Sequence, residues 1–597
     1  MKMQYPTLRE IPSRQLWTEQ FNGLDRRPRA YDGAFQAMGN MTGDPWPLLS
    51  SRKKRGIVVE LEKPLGLLAL EKLAWIDGST LYYDGKPTPI TGLSLEKDML
   101  PKRMVSMGAY LLVFPDGVYC NTVNMEDYGS VNRLYASPSG QGVSFSLCTL
   151  EGTDYPRGAM TVSETEPQEP ENGDYWLDTS ESTHTLYQWN GEWTAISSVY
   201  VRIGAPGIGK GLKAQDGVAL SGIQYSGNSE TLKAQFDFLN AAHIVQAVGE
   251  NFIVVAGVID QNFTQTSGSI RADRKAPQMD FVIECNNRLW GCRYGEQDGE
   301  TVNTIYACAL GDFTNWQKFA GTSQDSYYAL LGSDGPFTGA VTHRGTPCFF
   351  KENCLHRVYG EIPANFQLQT VKCEGVNPGS EYTLVSVNGV MYYLGTHGVQ
   401  RFEGVPDSVG KALGEGRFSS GAAGEMNGNY YLSVLEASDT WSLYTLDTEK
   451  GVWHRQDDAH ALAFAGLNGE MYMLCRNGTL YALNGTAGET EAEDVTWYAE
   501  TAEMGYEYPE HQYMSRFLLR MWLGLNAECH FLVQYDSDGV WHEQGALRGN
   551  GTVSLRLMPI VPRRCQHMKI RLEGRGEMQL YGMARVLSGG GNGGITA

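Results

Sequence analysis

The sequence lacks any run near the ~18 apolar residues that a membrane-spanning helix needs, and it contains no HExxH, no CxxC and no His/Cys cluster at zinc spacing. No GxSxG elbow anchors a Ser-His-Asp set. The opening MKMQYPTLREIPSRQ has neither an apolar core nor a cleavage site, so no signal peptide is expected. Positive charge is scarce: 48 Lys and Arg stand against 68 Asp and Glu, a net charge of −20. That excludes a protein that coats nucleic acid with a basic face. It is compatible with a channel wall along which DNA slides, because an acidic wall repels phosphates. Charged residues make up only 19% and aromatics 11%, which excludes disorder as the main state. The eleven cysteines are odd in number and scattered, as expected of buried free thiols in a protein made in a reducing cytoplasm.

Glycine is in excess, at 70 of 597 residues, where the usual share is about 7%. It falls in NG, DG and GG pairs between short aromatic or β-branched stretches, the signature of antiparallel hairpins. LAWIDGSTLYYDG, GAYLLVFPDGVYCN, NRLWGCRYG, TPCFFKENCLHRVYG, NGVMYYLGTHGVQRFEG and NGEMYMLCRNGTLYALNG are such units. Recurrence every ~40–50 residues predicts an all-β chain built on a β-propeller of about seven blades, with more than a third of residues in strands. Two breaks divide the chain. TVSETEPQEP opens an inserted small β-domain over 161–239, which separates the first blades (56–160) from the remaining ones (240–485). GTAGETEAED leads into a C-terminal β-sandwich over 486–587, and 588–597 reads as a flexible tail. Residues 1–55 read as an extended leader, and a strand from this leader, ahead of Gly56, is expected to close the ring beside the 468–485 hairpin.

Few constellations invite chemistry. GAPGIGKG at 204–211 matches part of a phosphate loop but lacks the following Ser or Thr and the helix, so it reads as a hairpin turn. Asp174 and Asp178 share a strand face, about 13 Å apart by strand rise, too far for a glycosidase pair and expected at turns. Trp176, Tyr187, Trp189 and Trp193 are a candidate carbohydrate platform; the competing expectation makes them the core of the small domain. Arg26, Arg27, Arg29, Arg52, Lys53, Lys54 and Arg55 are candidate contacts to DNA or an acidic neighbouring subunit, or else a solvated basic arm. No catalytic, cofactor or metal residues are assigned.

The stretch 312–404 carries the family resemblance. Its D-F-x-x-W at Asp312–Trp316, T-G…F-F-K-E-N-x-L-x-x-V-x-G at Thr338–Gly360, G-x-x-x-G-S at Gly375–Ser380 and G-V-x-Y-x-L-G-x-x-G-V at Gly389–Val399 resemble a propeller passage of bacteriophage tail nozzle, or packaged-DNA stabilisation, proteins. The leader FNGLD…NM…PLLSSR and the closing MPIVPRRCQHMKIRLEGRG are similar to such chains as well. The resemblance implies a non-enzymatic virion protein of the tail, made in the host bacterial cytoplasm and needing no cofactor. It implies a homo-oligomeric ring, a hexamer in the family, that is attached to a portal or adaptor. Genomic DNA would pass through this ring without sequence-specific binding, be retained there and then be released. The alternative is a receptor- or carbohydrate-binding tail adhesin.

Overall fold

The computed structural model describes residues 13–28, 32–95, 101–225, 227–297, 299–414, 418–505 and 511–589. Strands occupy 53% of the chain and helices 4%. Seven antiparallel blades form the propeller: six of four strands, at 64–91, 103–130, 281–330, 337–372, 385–408 and 418–455, and a seventh of five, in which 461–482 is joined by Gly56–Glu60 and Glu489–Thr490. The first strand of each blade lies innermost. These strands touch in order around the ring, and Ala461–Leu467 of the seventh meets Pro64–Ala69 of the first.

The blades cohere because their middle strands bury both faces. In Val390–Gly395, Met391 and Tyr393 pack towards the fourth blade, while Tyr392 and Leu394 pack towards the sixth. That is why VMYYLG reads as a continuous apolar run and not as an alternating one. Similar clusters fill the other blade junctions, such as Ile76 with Leu111 and Phe337 with Trp290. Hairpin turns at Asn388-Gly389, Asn427-Gly428 and Asn468-Gly469 have positive φ at both residues, which Asn and Gly tolerate and which matches the twist of the strands.

Ring closure comes not from the leader but from Gly56–Glu60, just after it, which pairs with Thr479–Ala482 on one side and with Glu489–Thr490 on the other. The residues ahead of it correct the expectation of an extended leader. Ser13–Thr18 and Leu49–Ser51 pair with the final strand Met578–Gly589, and Phe35–Gly39 pairs with Thr496–Thr501. The leader thus belongs to the C-terminal sandwich, to which it contributes strands in both sheets. Its Phe21, Leu24, Phe35, Met38, Met41 and Leu49 are buried in one core with Phe517, Phe531 and, from the sixth blade, Trp453. Apolar side chains separated by hundreds of residues choose each other because neither end can bury them alone. Strand structure continues through Gly589, so the tail begins later than expected; 590–597 lie outside the described residues.

The insertion is also larger than 161–239. It occupies the connection between the second and third blades, from residue 131 to 280. Its main sheet has seven strands in the order Phe263–Gln265, Val143–Cys148, Tyr200–Gly204, Phe252–Ala256, Ala242–Gly249, Gly217–Ser221 and Arg271–Asp273. Val143–Cys148 belongs to it because its Phe145 and Leu147 fill the same core as Ile203, Val255 and Phe236. Phe236 comes from the helix Glu230–Leu239, where Ser229 caps the first turn by accepting from the Leu232 N–H at 3.3 Å.

Candidate functional site

The segment Asp312–Trp316 fixes the insertion to the propeller. Phe313 packs edge-on against Tyr110 and Tyr119 of the second blade, with ring centres 4.9 Å away in each case. Asn315, fully buried, accepts from the Gly217 N–H and donates to Asp216, both in the insertion. Arg274 closes the joint with an ion pair to Asp216 at 2.7 Å. The motif therefore joins two blades and the inserted unit at one point.

A smaller four-stranded sheet hangs on this unit: Met160–Ser163, Tyr175–Asp178, Thr185–Trp189 and Trp193–Ala195. Its two faces differ. Leu177 and Leu186, opposite each other, are fully buried in the insertion's core. The other face carries Trp176 opposite Tyr187, and Trp189 opposite Trp193. Trp176 stacks on Tyr187 at 5.1 Å, Trp193 meets Trp176 edge-on at 5.7 Å, and Trp189 meets Trp193 at 5.2 Å. Trp176 is buried and donates its indole N–H to the Ser163 carbonyl; the other three rings are half-buried. All four candidate platform residues thus form one ladder of mutually packed rings, on the face opposite the leucines. The leucines fill the core, leaving the rings a face of their own. Period-two alternation is the signal that predicts the split. Between Arg157 and Arg202 there are eight carboxylates and no Lys or Arg, so this sheet is strongly acidic.

The basic leader has a different environment from the one its sequence suggests. Arg26 pairs with Glu436 at 3.1 Å, Arg27 with Asp25 at 2.6 Å, Arg52 with Glu491 at 2.8 Å and Lys54 with Asp494 at 2.9 Å. Arg55 is buried and reaches Asp457 at 2.7 Å. Burial would push the Asp457 pKa up, but the Arg55 and Arg52 charges outweigh it and hold the carboxyl below its ordinary value. Lys53 is exposed and forms no ion pair among the described residues; Arg29 lies outside them. These cations are largely neutralised within the chain, stitching the leader to the sixth blade and the linker beyond the seventh.

Asp174 and Asp178 accept from the backbone N–H groups of Glu171 and Ser180, as turn carboxylates do. GAPGIGKG connects two strands of the main sheet, with Gly207 and Gly211 at positive φ. Among the described residues no group of three His, Cys, Asp or Glu is placed to hold a metal ion, and no helix is long and apolar enough to cross a membrane.

Two features escape sequence reasoning because their partners are far apart in the chain. One end of the propeller axis is bridged by Arg103, whose guanidinium lies 4.1 Å from the Tyr382 ring centre and 4.9 Å from that of Phe281, with Glu381 at 3.9 Å. The Tyr382 hydroxyl also donates to the Pro101 carbonyl. The other feature is a cleft of about 560 Å³ between the sixth blade and the sandwich, lined by Asp457, Asp458, Tyr498, Glu528, Arg571 and Glu573 among others. Arg571 pairs there with Glu500 at 2.8 Å and Glu573 at 2.6 Å. Burial raises the Glu500 pKa more than the Arg571 charge lowers it.

No family model matches the chain, and no curated protein matches it. Solved structures that align with part of the chain include an exo-β-1,3-galactanase from Phanerochaete chrysosporium, 9% identical with a TM-score of 0.20, over 51% of this chain and 94% of that one. An engineered family 43 glycoside hydrolase with endo-xylanase and exo-arabinofuranosidase activity is 9% identical with a TM-score of 0.19, over 51% and 96%. PorZ, a type-IX secretion component of Porphyromonas gingivalis, is 11% identical with a TM-score of 0.16, over 87% and 82%. Because family 43 hydrolases are among these neighbours, the expectation of a chain without enzymatic function is withdrawn. At such identities and scores the likeness carries no activity to this chain.

Proposed function

We propose that this chain is a structural subunit of a bacteriophage tail, a nozzle or hub protein that rings the DNA exit channel with identical copies. The observation that carries the reading is the placement of the residues that resemble nozzle proteins. Asp312–Trp316 couples two blades and the insertion, and the leader and closing segment fold together as one sandwich. Such couplings tie the blades, the insertion and the two ends of the chain to one another, as a wall holding packaged DNA requires. The ring's channel runs between subunits, since the propeller's own axis is bridged at Arg103 and Tyr382. With the leader cations paired internally and a net charge of −20, the wall repels phosphate and lets the duplex slide. The test is a particle reconstruction of the virion: density for seven blades, insertion and sandwich in a ring around the exit channel supports the reading, and absence of the chain from the tail overturns it.

A second reading, a carbohydrate-binding adhesin, is favoured by the aromatic ladder alone. Half-buried rings on one face offer flat apolar surfaces to pyranose faces. A glycan-array screen tests it: saturable binding by the intact chain that is lost in a folded Trp189→Ala variant supports this reading, and no binding by the intact chain removes it.

A further inference from the structure

The outer face of the sandwich has the composition of an interface. Gln512–Leu523 and the edge strand Val553–Met558 place Leu518 beside Leu557, Arg520 beside Leu555, and Trp522 beside Val553. Val553, Leu555 and Leu557 are 43%, 55% and 63% exposed. Across the sheet, Ala584 lies beside Leu518 and Trp17 beside Ala584, and Trp17 is 41% exposed. Arg516 and Arg520 stand exposed on this face and form no ion pair among the described residues. Val553–Met558 has a sheet neighbour on one side only, leaving an open edge. Leu, Trp and unpaired Arg on one exposed sheet face are what a protein partner buries.

A complementary surface exists on the same chain. After Met160–Ser163 the small sheet of the insertion runs into an exposed strap bearing Glu164, Glu166, Glu169 and Glu171, none paired with a cation among the described residues. The two surfaces are far apart. The insertion leaves the ring between the second and third blades, whereas the sandwich shares its core with the fifth and sixth, almost diametrically across. They cannot meet within one molecule.

We propose that the occupant of the sandwich face is a second copy of this chain, docked through the acidic strap of its insertion onto Arg516 and Arg520, with the exposed leucines and tryptophans buried alongside. Two different patches meeting in this way make a head-to-tail contact, which generates a closed ring when the rotation between copies divides a full turn. The inference rests on the ring reading above and names its interface.

The test is mass photometry and sedimentation of the full chain across concentration and salt. Wild type should assemble at low salt, and raised ionic strength should weaken the assembly. Arg516→Glu with Arg520→Glu should weaken it about tenfold or more while melting is unchanged. Glu166→Arg with Glu169→Arg should weaken it similarly, and mixing the two variants should restore association between them. Rings that persist in both variants overturn this interface and leave the ring reading standing. A wild type that stays monomeric at every concentration overturns both.

Discussion

The propeller and the sandwich are both antiparallel β-structures, yet they are assembled from the chain in opposite ways. In the propeller each blade is a run of neighbouring hairpins, and only Gly56–Glu60 crosses from one end of the chain to the other. In the sandwich, strands before residue 52 pair with strands after residue 495. The lesson is that similar strand chemistry serves local and distant pairing alike, and that the cost differs. A hairpin closes a short loop, whereas the sandwich pays loop closure over nearly the whole chain before its contacts form. The propeller is expected to form first and to bring the two ends together.

The comparison is broken most severely by removing residues 1–55. That deletion takes strands and the buried Phe21, Phe35, Met38, Met41 and Leu49 out of the sandwich. Large-to-small changes at single core positions already cost about 2–5 kcal/mol, so the sandwich is expected to unfold outright while the propeller, which keeps Gly56–Glu60, survives. Limited proteolysis should give a stable fragment ending near residue 490; a protease-resistant sandwich in the deletion would refute this.

Asp457→Asn tests the stitch between the two regions. It leaves Arg55 buried without its carboxylate, which costs about 3–5 kcal/mol in comparable sites. Denaturant unfolding should register the loss, and a wild-type midpoint would mean that the pair is dispensable.

pH sharpens the comparison within the propeller. Burial, helped by the Lys351 charge, pushes His356 of the fourth blade down to about 4; burial does the same to His454 of the sixth, against a smaller opposing pull from Asp447. In the unfolded chain both titrate near 6.5, so between these values the unfolded state holds the extra protons. Stability is complete above about pH 6.5 and is lost as pH falls towards 4, by on the order of 3 kcal/mol per histidine. Thermal melts from pH 7 to 4.5 should decline, and less steeply in His356→Gln with His454→Gln; an equal slope would show that other groups dominate.

The smallest expected difference lies within the insertion's small sheet. Leu186→Ala should cost about 2–5 kcal/mol, since it empties a filled core position. Trp189→Ala, on the half-buried face, should cost about 1–2 kcal/mol through lost ring contacts. Proteolysis of the insertion in each variant compares them; an equal effect would mean that both faces are core.

Much of the propeller was legible because its information is local. The alternation in LAWIDGSTLYYDG and the Asn-Gly turns specify hairpins within a dozen residues. The insertion was legible only at its acidic linker. Its first and last strands along the chain are Val143–Cys148 and Arg271–Asp273, whose partners in Tyr200–Gly204 and Gly217–Ser221 lie about fifty to sixty residues away. The aromatic ladder was legible as a set of rings sharing a face, but not as a face separate from the core, because the buried leucines on its other side are only two residues in the sequence.

By itself, the sequence determined the all-β class, the blade repeat and the free, mostly buried thiols, since strand periodicity, turn chemistry and composition act over short distances. Only the tertiary structure decided that the basic leader belongs to the C-terminal sandwich, that its cations are paired internally, and that Arg103 bridges the propeller axis. Those outcomes depend on which distant groups become neighbours once apolar surface is buried, and buried surface is a property of the whole chain that no short segment encodes.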